Sequence, residues 1–328
     1  MRVISALRVA QIAVSVVCLS SVSSGASAQT YPGKPLRIIV PFAAGGGADR
    51  MARLISQKLT EGLKQPAVVD FRPGAAGRLG TEQVAKAPPD GYTLLLGVTS
   101  AVIIAPVLYE KLAYDVQKEL APGALLASNA YVLVVHRLVP AKSVKELIAI
   151  ARASPGKLNY ASSGAGGPAH LAAELLQSVA KIKIVHVPYK GSAPGTMALI
   201  GGETDLMFSN IQPAVPAIQS GRLRALAITS AKRSSLLPEV PSAPEAGLGE
   251  LNVETIYGIM VPAGTPREIV AQLNQVLVKG FDAPEVRSRL IADGSEILTS
   301  SPEEFDRLVK TETARWGKLI RQAGIKPE

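Results

Sequence analysis

Cysteine is almost missing from this chain of 328 residues: the only one is Cys18, close to the N-terminus. A disulfide framework, a cysteine zinc site and a thiol nucleophile are thereby excluded for everything downstream. Histidine is nearly as scarce, and the three present, His136, His170 and His186, have no metal-ligand spacing. No metal site is expected. Aromatic residues make up only 4% of the chain. No basic run alternates with aromatic side chains as a single-strand nucleic-acid binder requires. Long apolar runs are also lacking. The longest, residues 9–19, falls short of the roughly 20 residues that span a bilayer. What remains is an Ala-, Val- and Leu-rich globular composition with a formal charge of +9 from scattered basic residues. That surface draws in anionic solutes rather than nucleic acid.

The first residues read as an export signal. Arg2 and Arg8 form the charged region, residues 9–19 the apolar core, and Ala26-Ser27-Ala28 a small-residue cleavage site ahead of Gln29. Residues 1–28 are therefore a signal peptide and the mature chain is expected in the periplasm. Loss of the two arginines lowers the formal charge from +9 to +7. Lipidation at Cys18 is disfavoured because the residue before it, Val17, is bulky.

A mature chain of about 300 residues exceeds one compact core and predicts two lobes. Short apolar runs alternate with helical periods, the pattern of α/β units. Strands are expected at 36–41, 67–70, 93–98, 131–135, 183–187, 205–209, 223–228 and 254–261. Amphipathic helices are expected over 48–60, from Val144, from Leu171, from Ile269, and over the stripe Phe305, Leu308, Val309, Trp316, Leu319, Ile320. Ser143, Thr265-Pro266 and Ser301-Pro302-Glu303-Glu304 read as helix starts. Crossings between lobes are expected near 120–128 and in the Pro/Gly-rich stretch 238–249. This assigns 29–126 with 251–328 to lobe 1 and 127–250 to lobe 2. Each lobe is expected to hold a mostly parallel sheet flanked by helices, with the ligand cleft between them.

Ligands of open α/β sheets lie beyond the carboxyl ends of strands. The first strand ends in Phe42, Ala43, Ala44, Gly45, Gly46 and Gly47, followed by Asp49. Glycine amides at a helix start make an anion site without a charged side chain. A second glycine turn, 72–78, ends in Arg78, and the third strand ends in Thr99 and Ser100. In lobe 2, Ser162, Ser163, Gly166, Gly167, Ala169 and His170 form a partner loop and helix start. Tyr189 follows one strand; Ser209 and Asn210 end another. Each has a plain structural alternative: a tight turn at 45–47, a helix-capping role for Asp49, a solvated surface role for Arg78, a turn role for Asp205. Arg78 could instead grip the far carboxylate of a diacid in bidentate fashion. The loop lacks the ending of a P-loop and the acidic residue of a dinucleotide fold, so no cofactor is expected. Ser163 with His170 or His186 is a weak hydrolase candidate, since Ala161 breaks the G-x-S-x-G pattern.

Several stretches together resemble the Bug family, extracytoplasmic receptors of tripartite tricarboxylate transporters. They are Pro41-Phe42-Ala43-Ala44-Gly45-Gly46-Gly47-Ala48-Asp49, Arg72-Pro73-Gly74-Ala75-Ala76-Gly77, Pro89-Asp90-Gly91-Tyr92-Thr93-Leu94-Leu95 and residues 162–171. Val187-Pro188-Tyr189-Lys190-Gly191, residues 221–227, Leu237-Pro238-Glu239-Val240-Pro241 and Pro262-Ala263-Gly264-Thr265-Pro266 complete the set. The likeness spans the mature chain in order and is specific for family, not for ligand. It implies a type II-like periplasmic-binding-protein fold, a monomer that closes on a small carboxylate (a di- or tricarboxylate or an aromatic acid), and delivery to membrane subunits. It implies no catalysis. It places the grip on 43–47 and 162–170, and gives Asp205 a ligand-linked role. Ala43, Ala44, Ala48, Gly167, Ala169 and Ile256 depart from the family's usual residues, which blocks simple transfer of a citrate or aspartate specificity. The other functional readings are a ligand sensor feeding a signalling kinase and, with less support, the serine hydrolase.

Overall fold

The computed structural model describes residues 31–189 and 191–326. The signal-peptide reading, Cys18 and Lys190 lie outside them. β1 (Leu36–Val40) pairs in parallel with β2 (Ala67–Phe71) and β3 (Thr93–Val98). The connections are α1 (Gly47–Leu63), which buries Met51, Leu54, Ile55 and Leu59 against the sheet, and α2 (Arg78–Ala85). β4 (Leu120–His136) follows a π-helical turn, Ser100–Ile104, and two one-turn helices.

The second half of the sheet carries α3 (Val144–Ala153), β5 (Asn159–Ser162), α4 (Pro168–Ala180), β6 (Val185–Pro188) and α5 (Ser192–Gly201). β7 (Leu206–Asn210), α6 (Ile211–Gln219) and β8 (Leu223–Ile228) complete it. The chain then returns through β9 (Glu254–Pro262), α7 (Arg267–Phe281), α8 (Pro284–Ala292), β10 (Ser295–Ile297) and α9 (Pro302–Ala323). The strand order is β2-β1-β3-β9-β4-β7-β5-β6, with β8 and β10 also on β4.

The fold is thus the expected two-lobed α/β architecture, but the sheet is mixed rather than mostly parallel. Parallel pairs are confined to the flanks, β1 with β2 and β3, and β5 with β6 and β7. Around β4 every pair is antiparallel. The cause is the double crossing: the chain leaves along β4 and comes back along β9 beside it, which forces opposite directions.

Residues 120–128, expected as a crossing, are the first part of β4. It spans 17 residues and pairs with β9 up to Ala130, then with β7 and β8 from Tyr131. Buried on both faces for most of its length, it has no alternation to betray a strand. In the Pro/Gly-rich stretch, Val240, with Leu237 just before it, packs in one core cluster with Val132, Val134 and Met207, and the Val253 amide donates to the Thr229 carbonyl at 3.2 Å.

One side chain stitches the two crossings together. The Thr229 hydroxyl donates to the Val253 carbonyl at 2.6 Å and accepts the Tyr131 amide at 2.8 Å. Beside it the hydroxyls of Tyr131 and Thr255 meet at 2.6 Å. Burial pushes the Tyr131 phenol up to about 12. Burial also raises the Glu254 carboxyl above its ordinary value; the 2.6 Å bond from the Ser128 hydroxyl works against this, and Glu296 and Glu312 add to it. A carboxyl raised on folding contributes stability below its unfolded pKa and loses it as pH rises through the folded value. Glu254→Gln, which keeps the acceptor for Ser128, is therefore expected to raise the melting temperature at pH 8 more than at pH 4. Equal melting temperatures at both would refute this.

Caps follow the sequence in two of three cases. Ser301 and Glu304 form a reciprocal capping box on α9, and the Ser143 hydroxyl accepts the Glu146 amide. Thr265 does not cap α7; its hydroxyl turns back to the Pro262 carbonyl, and Pro266 holds the N-cap position.

Candidate functional site

In lobe 1 the loop after β1 leaves Ala43, Ala44 and Gly45 exposed. Gly45 has φ +94°, the left-handed region that glycine tolerates. This turn aims the Gly45 amide at the Asp49 carboxylate, 2.8 Å away, whose other oxygen takes Arg53 at 2.6 Å. Asp49 therefore anchors the loop to the first turn of α1, and both its oxygens are engaged. The first bond back onto the loop is from the Arg50 amide to the Gly46 carbonyl, at 3.3 Å. The amides of Gly46, Gly47 and Ala48 have no partner among the described residues. They crown a helix start with its partial positive charge. A Cβ on Gly47 would stand 2.8 Å from the Tyr257 hydroxyl, so this helix start lies directly over β9.

The lobe-2 loop is built the same way on a different support. Gly164 donates to the Ser162 hydroxyl at 3.1 Å and Gly166 to His170 Nδ1 at 3.1 Å. The Ser162 hydroxyl meets His186 Nε2 at 2.6 Å, and the rings of His186 and His170 stack with centroids 4.3 Å apart. Tyr160 stacks on His186 at 4.8 Å and donates to Glu174 at 2.7 Å. Ser162 is fully buried and His170 nearly so. This column of rings is a rigid floor under the loop. It leaves the amides of Ala165 and Ala169 without a hydrogen-bond partner among the described residues at the start of α4. The hydroxyl that reaches a histidine among the described residues is that of buried Ser162 rather than Ser163, the serine of the weak hydrolase candidate.

A chain of contacts joins the two loops. A Cβ on Gly166, where φ is +74°, would stand 2.8 Å from the Tyr109 hydroxyl of lobe 1. The Arg78 guanidinium lies 3.8 Å over the Tyr109 ring. A Cβ on Gly77 would touch both Phe42 and Ala101 at 3.2–3.3 Å, which places loops 41–47, 72–78 and the turn opened by Ser100 side by side. Phe42, Gly77, Arg78 and the turn opened by Ser100 are thus linked through Tyr109 to Gly166; Ala43, Ala44, Gly45, Gly46 and Gly47 continue the loop from Phe42, and Ser162, Ser163, Gly167, Ala169 and His170 flank Gly166 in sequence. Thr99 sits at the hinge, where its hydroxyl accepts the Ile256 amide at 2.8 Å and donates to the Glu254 carbonyl. Asn210 is the N-cap of α6, paired in register with Tyr131.

Two expected residues, Asp205 and Ser209, stand apart, while Tyr189 meets the loop through its amide, which donates to the Ser162 carbonyl at 3.0 Å. Asp205 lies at the opposite end of its strand from the loops and accepts the Asn159 amide at 2.8 Å, a turn role. Ser209 is fully buried against Thr196 of α5. Tyr189 packs on the lobe-2 core with its hydroxyl toward Glu203 at 3.4 Å. Tyr109, Tyr257 and Thr229 escaped the sequence reading because their roles are contacts across the lobes or the hinge, which leave no local pattern. A cavity of about 570 Å³ on lobe 1 carries Glu110, Asp115 and Glu119 on its walls, the wrong charge for an anion.

A model of the tripartite tricarboxylate transporter family receptor matches residues 51–325. BugT of Bordetella pertussis is 35% identical, the match covering 94% of this chain and 95% of that protein. Among solved structures, Rpa4515 of R. palustris with adipate superposes with a TM-score of 0.86 at 34% identity, covering 91% of this chain and all of the other. MatC of Rhodopseudomonas palustris with bound malate gives 0.82 at 34% identity, covering 88% and 100%.

Proposed function

Since this chain belongs to the tripartite tricarboxylate transporter family of receptors, related to the Bug proteins, we propose that it captures a small carboxylate in the periplasm by closing its two lobes. What supports this reading is a pair of helix starts, α1 with the amides of Gly46, Gly47 and Ala48 and α4 with that of Ala169, none of them bonded among the described residues, and the run of contacts from Phe42 through Gly77, Arg78 and Tyr109 to Gly166. Such donors hold a carboxylate without a compensating basic side chain. The bound adipate and malate of the two structural relatives support the ligand class. In this reading the chain acts as a monomer without catalysis, is exported by its N-terminal signal, and hands its ligand to the membrane subunits of a tripartite transporter. No helix among the described residues is long and apolar enough to cross a membrane.

Ligand binding to the closed form stabilises it by mass action. In a thermal-shift screen of organic acids against the mature protein, a ligand at about 100 times its Kd adds about 2.7 kcal/mol. That raises the melting temperature by roughly 5–10 °C. A folded protein whose melting temperature no mono-, di- or tricarboxylate moves would overturn the proposal.

A further inference from the structure

Arg78 is held more firmly than a surface arginine needs to be. The turn before it runs through four consecutive residues with positive φ: Gly74 at +142°, Ala75 at +49°, Ala76 at +54° and Gly77 at +94°. Two of these are alanines, for which the left-handed region is unfavourable. The turn directs the Ala75 carbonyl at Arg78 Nε, 2.9 Å away. The guanidinium carbon then lies 3.8 Å from the centre of the Tyr109 ring. Its natural helical partner, Glu82 one turn on, is taken by Lys86 instead. The two terminal nitrogens of Arg78 have no hydrogen-bond partner among the described residues. The result is a fixed, uncompensated cationic fork whose supporting ring reaches across to Gly166 in the opposite loop.

From this we infer that Arg78 is a second anion-binding group of the cleft, so that the ligand is a dicarboxylate. One carboxylate sits on the helix-start amides and the other accepts both terminal nitrogens of Arg78. The inference rests on the carboxylate-receptor reading and adds the second acid group. A planar fork with two parallel donors fits a carboxylate edge, and stacking on an aromatic ring orients it in advance. Tyr109 is the positioning residue: it sets the guanidinium plane and, through Gly166, ties that plane to lobe closure.

The test is calorimetric titration of the mature protein with chain-matched pairs, succinate against butyrate and adipate against hexanoate. At least one diacid is expected to bind the parent ten-fold or more tighter than its monoacid. Arg78→Ala should weaken that diacid about 10- to 100-fold, the worth of a charge-assisted pair, and leave the monoacid within two- to three-fold. Arg78→Lys should recover only part of the loss, because an ammonium cannot pair in bidentate fashion. Tyr109→Phe should retain diacid preference and Tyr109→Leu should lose it. Circular dichroism melts establish that each variant is folded. A parent that binds monoacids as tightly as diacids, or an Arg78→Ala that weakens both equally, overturns this inference and leaves the receptor reading standing. A parent that binds none of the four acids also overturns this inference, and the receptor reading falls with it only where the thermal-shift screen finds no carboxylate that binds.

Discussion

Gly46→Asp is expected to fold as well as the parent and to bind no organic acid. Gly46 is the N-cap of α1 with φ −96° and ψ −173°, extended backbone open to any residue, and a Cβ there meets nothing within 4 Å. Aspartate is a favoured N-cap and gains a few tenths of a kcal/mol over glycine. Its carboxylate would accept the Ala48 or Asp49 amide, donors that the ligand needs, and would set a fixed negative charge where the ligand's charge belongs. The variant should therefore melt at or slightly above the parent temperature while its thermal shift with organic acids disappears. Affinity should fall by more than about 100-fold, since both an anion's hydrogen bonds and its electrostatic welcome are lost. Gly46→Ala, which adds the Cβ without the charge, should stay within a few-fold of the parent. Parent-like binding by Gly46→Asp in isothermal titration would remove this loop from the site.

The second large effect concerns stability. Gly258 lies in mid-β9, in register with Gly97 on one side and Leu125 on the other. A Cβ there would stand 2.6 Å from two atoms of the Phe305 ring and 2.7 Å from the Ala124 carbonyl oxygen. Phe305 is fully buried and cannot swing away, and the carbonyl belongs to the central strand. α9 is thus seated on the sheet through this missing side chain. Gly258→Ala should cost about 2–3 kcal/mol by overpacking. That lowers the melting temperature by roughly 5–10 °C. Gly249→Ala, where a Cβ meets nothing within 4 Å, is the matched control and should change little. A Gly258→Ala protein melting within a degree of the parent would show that α9 yields where the packing says it cannot.

Local chemistry was legible in the sequence and distant geometry was not. The strands over 93–98 and 223–228 fall where apolar runs bounded by turn residues put them. Ser301, Pro302 and Glu304 announced α9 because capping depends only on neighbours. The glycine loops could be read for the same reason: a helix start after a strand is a local event. β4 was read as two things because burial on both faces erases the period of two. β5 and β10, of four and three residues, are too short to show any period. Asp205 was legible as a residue at a strand start, away from the loops, and the bond it accepts from the Asn159 amide fits the turn role that this position favours. Asp49 was left between capping and ligand contact, and its carboxylate accepts the Gly45 amide and Arg53.

β4 gives both lobes a common spine: its front half is zipped to β9 and its back half to β7 and β8. Neither half can melt without stripping hydrogen bonds from a strand the other half needs. Scanning calorimetry should accordingly record one endotherm, with the calorimetric and van't Hoff enthalpies in agreement. The protein is thus expected to lose both halves of the sheet in one step.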